Sequence, residues 1–242
     1  MKKQFLSKKT KPKNSINDRL ENDLQGAKFR ILNEKLYTMS SEDAFEYFKD
    51  NKEDFEIYHK GFESQVSKWP KNPNELIIRS LKQKKYKNCV IADIGCGEAK
   101  LASTLVPLGY TVHSFDLVSI NQYVTCADMK NLPLKNEECD LAIFCLSLMN
   151  KNFIQFISEA NRILKKNGKL VVAEITSRIV NFKNFVKEFQ KLKFKMIKKV
   201  DIHNFFVILT FKKIENSENN INSFEQLSDT YNILKPCLYK KR

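Results

Sequence analysis

The chain has 242 residues, with 42 Lys+Arg against 28 Asp+Glu and a formal net charge of +14. With 42% hydrophobic and 11% aromatic residues it can build a core, which excludes a wholly disordered chain. Its longest apolar run, residues 141–146, is far short of the ~20 residues of a membrane span, and its first residues lack the apolar stretch of a secretory signal. The expectation is a soluble intracellular protein of one domain with an appendage.

Residues 1–17 read as a flexible basic arm, since positions 2–13 hold six Lys and no acid. Residues 18–88 read as a helical extension or lid. Leu20, Leu24, Ala27 and Ile31 form one helical stripe, and Ser40 stands three before Asp43 as in a capping box for a helix carrying Phe45 and Phe48. A third stripe joins Phe55, Tyr58, His59, Phe62 and Val66 and stops at Trp69-Pro70. Asn72-Pro73 then has the form of an N-cap followed by proline in the first turn.

From Cys89 the texture changes to short β-branched runs. Strands are expected at 89–94, 111–116, 123–127, 139–146 and 169–175, with helices at 98–106, 152–165 and 181–192 and Gly168 as a C-cap. Two closing runs, 194–202 and 204–211, stand a short turn apart and predict an antiparallel pair. Residues 89–213 therefore predict an α/β doubly wound core, mostly parallel with one reversed strand in a terminal hairpin. Residues 214–242 read as a mobile Asn/Ser/Glu-rich linker with a basic end, KPCLYKKR.

The charge excess is carried by 36 Lys against 6 Arg, beside 23 Asn, so part of it reflects composition rather than recognition. Clustering in 2–13 and in 180–213, where nine Lys face only Glu188 and Asp201, leaves a nucleic-acid partner and a solvated basic surface both open. Cysteines at 89, 96, 126, 139, 145 and 237 and histidines at 59, 113 and 203 follow no zinc or disulfide spacing, so reduced thiols and no metal site are expected.

The sharpest chemical feature is Asp93-Ile94-Gly95-Cys96-Gly97 between a strand and a helix, where glycines let the backbone approach a ligand. A dinucleotide fold would want a third glycine where Lys100 stands. Asp116 ends the second strand about 20 residues on, placed to accept ribose hydroxyl protons. Asp128-Met129 follows the third strand, where a polar and a soft apolar group can bracket an adenine. In this order the three strand ends look like the S-adenosylmethionine pocket of a class I methyltransferase. Cys145 to Met149 ends the fourth strand, facing the methyl acceptor, without the Asn/Asp-Pro-Pro-aromatic turn common in methylation of exocyclic amines.

The segments YHKGFESQVSKWP (58–70), ADIGCGEAKLAS (92–103), FDL (115–117), CADM (126–129), FCLSLM (144–149) and EANRILKKNGKLVVAE (159–174) resemble the ribosomal RNA-processing protein 8 family, or nucleomethylin. The similarity runs in order from about Phe29 to Lys213. It implies a class I S-adenosylmethionine-dependent methyltransferase that methylates N1 of an adenine in 25S/28S ribosomal RNA, in the nucleus and nucleolus. Carried over by position, the cofactor contacts are His59, Gly95, Asp116, Asp128, Met129 and Cys145, with Gly97 giving backbone clearance. Periodicity alone makes His59 a core histidine; the resemblance makes it part of a lid over the cofactor.

Adenine N1 has no proton to lose before attack, so no general base is required, and Glu174 is a candidate for stabilising the cationic product. Large-subunit ribosomal RNA is the expected partner, its phosphates met by the arm, by Lys68 and Lys71, and by the lysines of 183–199. Ribosome-assembly or chromatin proteins are further candidate partners, and no membrane is expected. The competing reading is a scaffold that binds the cofactor as a sensor within an rDNA-silencing or ribosome-assembly complex.

Overall fold

The computed structural model describes residues 16–214 and 232–239. The lysine-rich run of the expected arm, residues 215–231 of the expected linker and residues 240–242 lie outside the described residues. Strands β1 (Val90–Ile94), β2 (Thr111–Asp116), β3 (Val124–Cys126), β4 (Cys139–Cys145), β5 (Leu164–Ile175), β6 (Phe194–Ile202) and β7 (Phe206–Lys213) form one sheet in the order β3-β2-β1-β4-β5-β7-β6. The first five run parallel, and β7 is antiparallel to both β5 and β6. This is the doubly wound sheet with a reversed strand that the sequence predicts.

The parallel strands are continuous apolar runs because both their faces are covered. Ile91, Leu141 and Ile143 point to one side, against α4 (Pro73–Leu81) and α5 (Lys100–Leu105). Ala92, Ile94, Ala142 and Phe144 point to the other, under α6 (Phe153–Ile163) and α7 (Phe182–Lys191). Phe189 of α7 stacks on Phe211 at 4.2 Å between ring centroids. The outer strand β6 exposes Lys195, Lys198 and Lys199, charges that oppose pairing of that edge with another chain.

Three helices, α1 (Ile16–Thr38), α2 (Ser41–Asp50) and α3 (Lys52–Val66), cap the carboxyl ends of the strands. Phe29, Leu32, Leu36, Phe48, Phe55 and Tyr58 pack there on Leu117 and Val118, just past β2, and on Met149, past β4. Ser40 accepts the Asp43 amide and Asn72 the Asn74 amide, the two caps legible in the sequence. The stripe expected on α1 is not its packed face: Leu20, Leu24 and Ile31 are 56–65% exposed, and Phe29, Leu32 and Leu36 are buried. The two stripes differ by one residue, a rotation of about 100°. The bulkier one wins because Gly61 of α3 admits Phe29, whose ring lies 2.4 Å from where a Cβ would stand.

Two further expectations are corrected. Helix α6 passes straight into β5, and Asn167 (φ 63°), not Gly168, takes the left-handed turn; Gly168 is needed because a Cβ would lie 2.8 Å from the Lys165 carbonyl. The linker reading does not hold for residues 232–239. Ile233 and Leu234 are buried in the main core, Val180 N–H donates to Ile233 O, and Asn33 Nδ2 donates to Cys237 O at 2.8 Å.

Arg178 fastens this segment. Its Nη1 pairs with Glu174 at 2.6 Å, its Nη2 donates to Leu148 O, its Nε donates to Lys235 O, and its guanidinium lies 4.6 Å from the Tyr37 ring centroid. Both partners of the pair are buried. Arg178→Ala leaves a buried carboxylate uncompensated and should cost about 3–5 kcal/mol in urea unfolding. Replacing Glu174 by Leu and Arg178 by Met together should recover the part of that loss due to the unpaired carboxylate, but not the part due to the Leu148 and Lys235 carbonyls. A single-variant loss below about 1 kcal/mol would show that the pair is not holding the segment.

Candidate active site

The strand order reverses between β1 and β4, and a cavity of about 350 Å³ opens at the carboxyl ends of β1, β2 and β4. That is where open α/β sheets bind ligands, and the size is in the range of small-molecule sites. Its roof is α3 and the connection to α4, contributing Phe55, Tyr58, His59, Phe62, Trp69 and Asn72. The apolar stripe of α3 is thus a cavity wall rather than a plain core face.

The floor depends on two glycines. Gly95 (φ +73°) and Gly97 (φ +58°) lie in the left-handed region, which side chains disfavour. A Cβ on Gly95 would lie 2.3 Å from Ser147 Cβ, and one on Gly97 would lie 3.2 Å from His59 Cε1. The loop is pinned to β2, since the Gly95 and Cys96 amides both donate to Phe115 O and the Gly97 amide donates to Asp116 Oδ2 at 2.7 Å. Asp116 Oδ1 accepts the Leu117 amide, so two of about four lone-pair positions are used and the rest are available to a ligand.

Of the six residues expected to contact a cofactor, His59, Gly95, Asp116, Met129 and Cys145 line the cavity together. Asp128 is not on its wall: Oδ2 accepts from Ser41 Oγ and Oδ1 accepts the Lys130 amide. Burial lowers the His59 pKa against the opposing pull of Asp116 and so favours the neutral imidazole. Burial pushes the Cys145 thiol well up, so it stays protonated. Glu174 is not on the wall either; its carboxylate is held by Arg178 and the Ile175 amide.

The sequence reading assigned no role to Asp93, although the residue opens the glycine motif. Its side chain is buried at the cavity, and Oδ2 has no hydrogen-bond partner among the described residues. Burial first, then the charge of Asp116, pushes its pKa up to about 7. Also unforeseen is Asn150, buried on the wall, whose Nδ2 donates to Leu36 O at 3.2 Å and ties the loop after β4 to the helical cap. Tyr58 makes a second tie through its hydroxyl to Met149 Sδ at 3.1 Å. Neither carries a short motif; both emerge only when helix and loop meet.

Residues 15–242 match the model of a family described as a hypothetical methyltransferase. The chain is 44% identical over 98% of its length to ribosomal RNA-processing protein 8 of Dictyostelium discoideum, and 44% identical over 94% of its length to a Schizosaccharomyces pombe protein named 25S rRNA (adenine(645)-N(1))-methyltransferase. It covers 73% of the latter and, at 40% identity, 81% of ribosomal RNA-processing protein 8 of Arabidopsis thaliana. The chain belongs to the ribosomal RNA-processing protein 8 family. It spans a little over three fifths of the Dictyostelium and Caenorhabditis members, at 61–63% of their length.

The fold is that of S-adenosylmethionine-dependent methyltransferases. The chain resembles the Burkholderia thailandensis 1,6-didemethyltoxoflavin N1-methyltransferase at TM-score 0.55 and 13% identity, over 70% of this chain and 90% of that one. A TehB-like methyltransferase of Corynebacterium glutamicum gives TM-score 0.53 and 15% identity, over 66% and 97%. Among the described residues no helix is long and apolar enough to cross a membrane.

For this member of the family, Asp93 makes ligand-free stability depend on pH. A carboxyl whose folded pKa is raised to about 7 holds its proton where the unfolded chain, near 3.8, has released it. Its contribution is full below pH ~4 and is lost as pH rises from there through about 7, on the order of 4 kcal/mol. Asp93→Asn should therefore be less sensitive than the parent between about pH 4 and 7 in parallel thermal melts. Identical pH slopes would remove Asp93 as the titrating group.

Proposed function

We propose that this chain is an S-adenosylmethionine-dependent methyltransferase acting on N1 of an adenine in large-subunit ribosomal RNA during ribosome biogenesis, in the nucleolus. The observation that carries the reading is an acid-lined cavity built on the glycine loop, in a chain 44% identical over 94% of its length to the S. pombe 25S rRNA enzyme. S-adenosylmethionine, when bound, supplies an electrophilic methyl group on a positively charged sulfur.

The residues present fit that group. Asp93 Oδ2, buried without a partner, suits an ammonium ion; the unused lone pairs of Asp116 suit a ribose diol; the bare backbone at Gly95 and Gly97 leaves room a Cβ would fill. His59, Met129 and Cys145 complete the contacts inferred for the cofactor, while Asp128, off the wall, is engaged by Ser41 and the Lys130 amide. Glu63, Glu75, Asp93, Glu98 and Asp116 face only Lys100 across the lining, a surplus of acid that favours a cationic ligand and a cationic methylated base. A thiolate beside a sulfonium would compete for the methyl group; burial holds Cys145 and Cys96 as thiols.

For the adenine, the chain's task is alignment and exclusion of water, since the N1 lone pair needs no base to free it. The target must leave its stack to enter, at a cost of roughly a few kcal/mol. The loop Leu146–Asn150, tied by Asn150 and Tyr58 to the cap, walls the cavity at the end of β4.

The test is transfer of labelled methyl to an unmodified large-subunit rRNA transcript, followed by nucleoside analysis. N1-methyladenosine is the expected product. Asp116→Ala should weaken cofactor binding about a hundredfold, the loss of charge-assisted hydrogen bonds, and Gly97→Val should abolish it by filling the space under His59. Tight cofactor binding without transfer to any RNA would favour the sensor scaffold instead.

A further inference from the structure

The β6–β7 turn lies at the carboxyl end of β5, on the same edge of the sheet as the cavity, because Ile175 pairs with Phe206. His203 (φ 49°) and Asn204 (φ 57°) both take left-handed conformations in the three-residue turn between the paired Ile202 and Phe206, which presents Phe205. The Phe205 backbone is fixed on both sides: its amide donates to Ile202 O, and its carbonyl accepts the Thr176 amide, each at 2.9 Å. Its side chain is nevertheless 42% exposed.

Phe205 continues an aromatic surface that starts inside the cavity. Trp69 lines the cavity and meets Phe206 at 4.8 Å and Phe205 at 6.4 Å between ring centroids; Phe62, also on the wall, meets Trp69 at 5.6 Å. Exposed Lys68 and Lys71 flank Trp69 in sequence, and neither pairs with an acid among the described residues. On the side of α3 and the glycine loop, the lining instead presents Glu63 and Glu98, while the side of Trp69 carries Glu75 in the first turn of α4. A polyanion whose base enters the cavity meets two acids on the α3 side, and on the side of Trp69 one acid offset by the two exposed lysines.

We propose that Phe205 and Trp69 form a stacking step for an unpaired RNA base adjoining the one that enters the cavity, with Lys68 and Lys71 meeting its phosphates. The inference deepens the function proposed above by naming where single-stranded RNA leaves the site. Aromatic steps beside lysines hold single strands with little sequence preference, because every base has a face to stack. A ring on a hydrogen-bonded backbone and packed against Phe206 at 4.7 Å between centroids loses little freedom on binding.

Trp69 is the single tryptophan of the chain, so its fluorescence reports the step directly. A short single-stranded RNA with one central adenine, added in the presence of S-adenosylhomocysteine, should quench it. Phe205→Ala should weaken that RNA about tenfold or more, and Phe205→Tyr should restore it, with S-adenosylhomocysteine affinity the same in all three proteins. In methyl transfer the Ala variant should raise KM for RNA by the same factor and alter kcat much less. Lys71→Ala should lower the salt dependence of RNA affinity by about one ion. Absence of quenching in the parent protein, or equal RNA affinity in parent and Phe205→Ala, overturns the step even if methyl transfer proceeds. Quenching that depends on Phe205 without any methyl transfer sustains the step and removes the proposed reaction, so the two failures are distinct.

Discussion

The arrangement of the site rests on one buried guanidinium. Arg178 leaves the end of β5 and reaches Glu174 on that strand, the carbonyl of Leu148 beyond β4, the carbonyl of Lys235 in the carboxyl-terminal segment and the face of Tyr37 in α1. Four separate stretches of chain therefore share one charge. Burial pushes the Glu174 carboxyl up and the adjoining guanidinium opposes it, so neither group is indifferent to the other. Arginine suits the place because its planar fork satisfies several acceptors at once, which an ammonium on a flexible stem does not. The loop after β4 is thereby held from below by Arg178 and from above by Asn150 and Tyr58, and its position relative to the glycine loop is set before any ligand arrives.

That fixed position explains the glycines. Ser147 donates to the Ile94 carbonyl at 2.7 Å, drawing the β4 loop onto the end of β1 until no Cβ fits at Gly95. His59 closes the same way over Gly97 from the helical cap. Close approach from both sides keeps the cavity narrow and its carboxylates poorly hydrated, and Asp93 consequently holds its proton up to about pH 7. A cationic group entering beside it replaces the missing solvation. The same low polarity keeps the two cavity cysteines as inert thiols, so one constraint serves both the attraction of a charged ligand and the suppression of a competing nucleophile.

Much of this was legible in the sequence where a local pattern coincided with a structural need. The caps at Ser40 and Asn72, the glycine motif, and the acids at the ends of β2 and β3 depend on neighbours within a few residues. The strands fall within about two residues of their expected places except β5, which starts five earlier, at Leu164, because α6 leads straight into it. The last strand begins at Phe206 rather than 204 because His203 and Asn204 adopt left-handed conformations to make the turn. What stayed hidden is long-range. No periodicity announces that the apolar stripe of α1 expected to pack yields to the one a residue further round, because the decision belongs to Gly61 on another helix. Glu174 reads as an acid available to a cationic product until Arg178, four residues on, is seen to fold back on it. Asp93 stands in a motif, but only the packed structure shows its second oxygen unpartnered.

The net charge of +14 and the acidic cavity at first oppose each other. They are reconciled by scale. At physiological ionic strength exposed charges act over about 8 Å, so a basic exterior attracts a polyanion while the carboxylates of a narrow cavity govern only what enters it. Phosphates are favoured outside and opposed inside, and a base is the part of a nucleotide that can cross from one region to the other. A base can cross only when it is free of its stack and pair, so under the proposed function this charge distribution favours an unpaired strand over a duplex. The aromatic surface from Phe62 through Trp69 to Phe205 lies along that boundary, where an unstacked neighbour most needs a new partner.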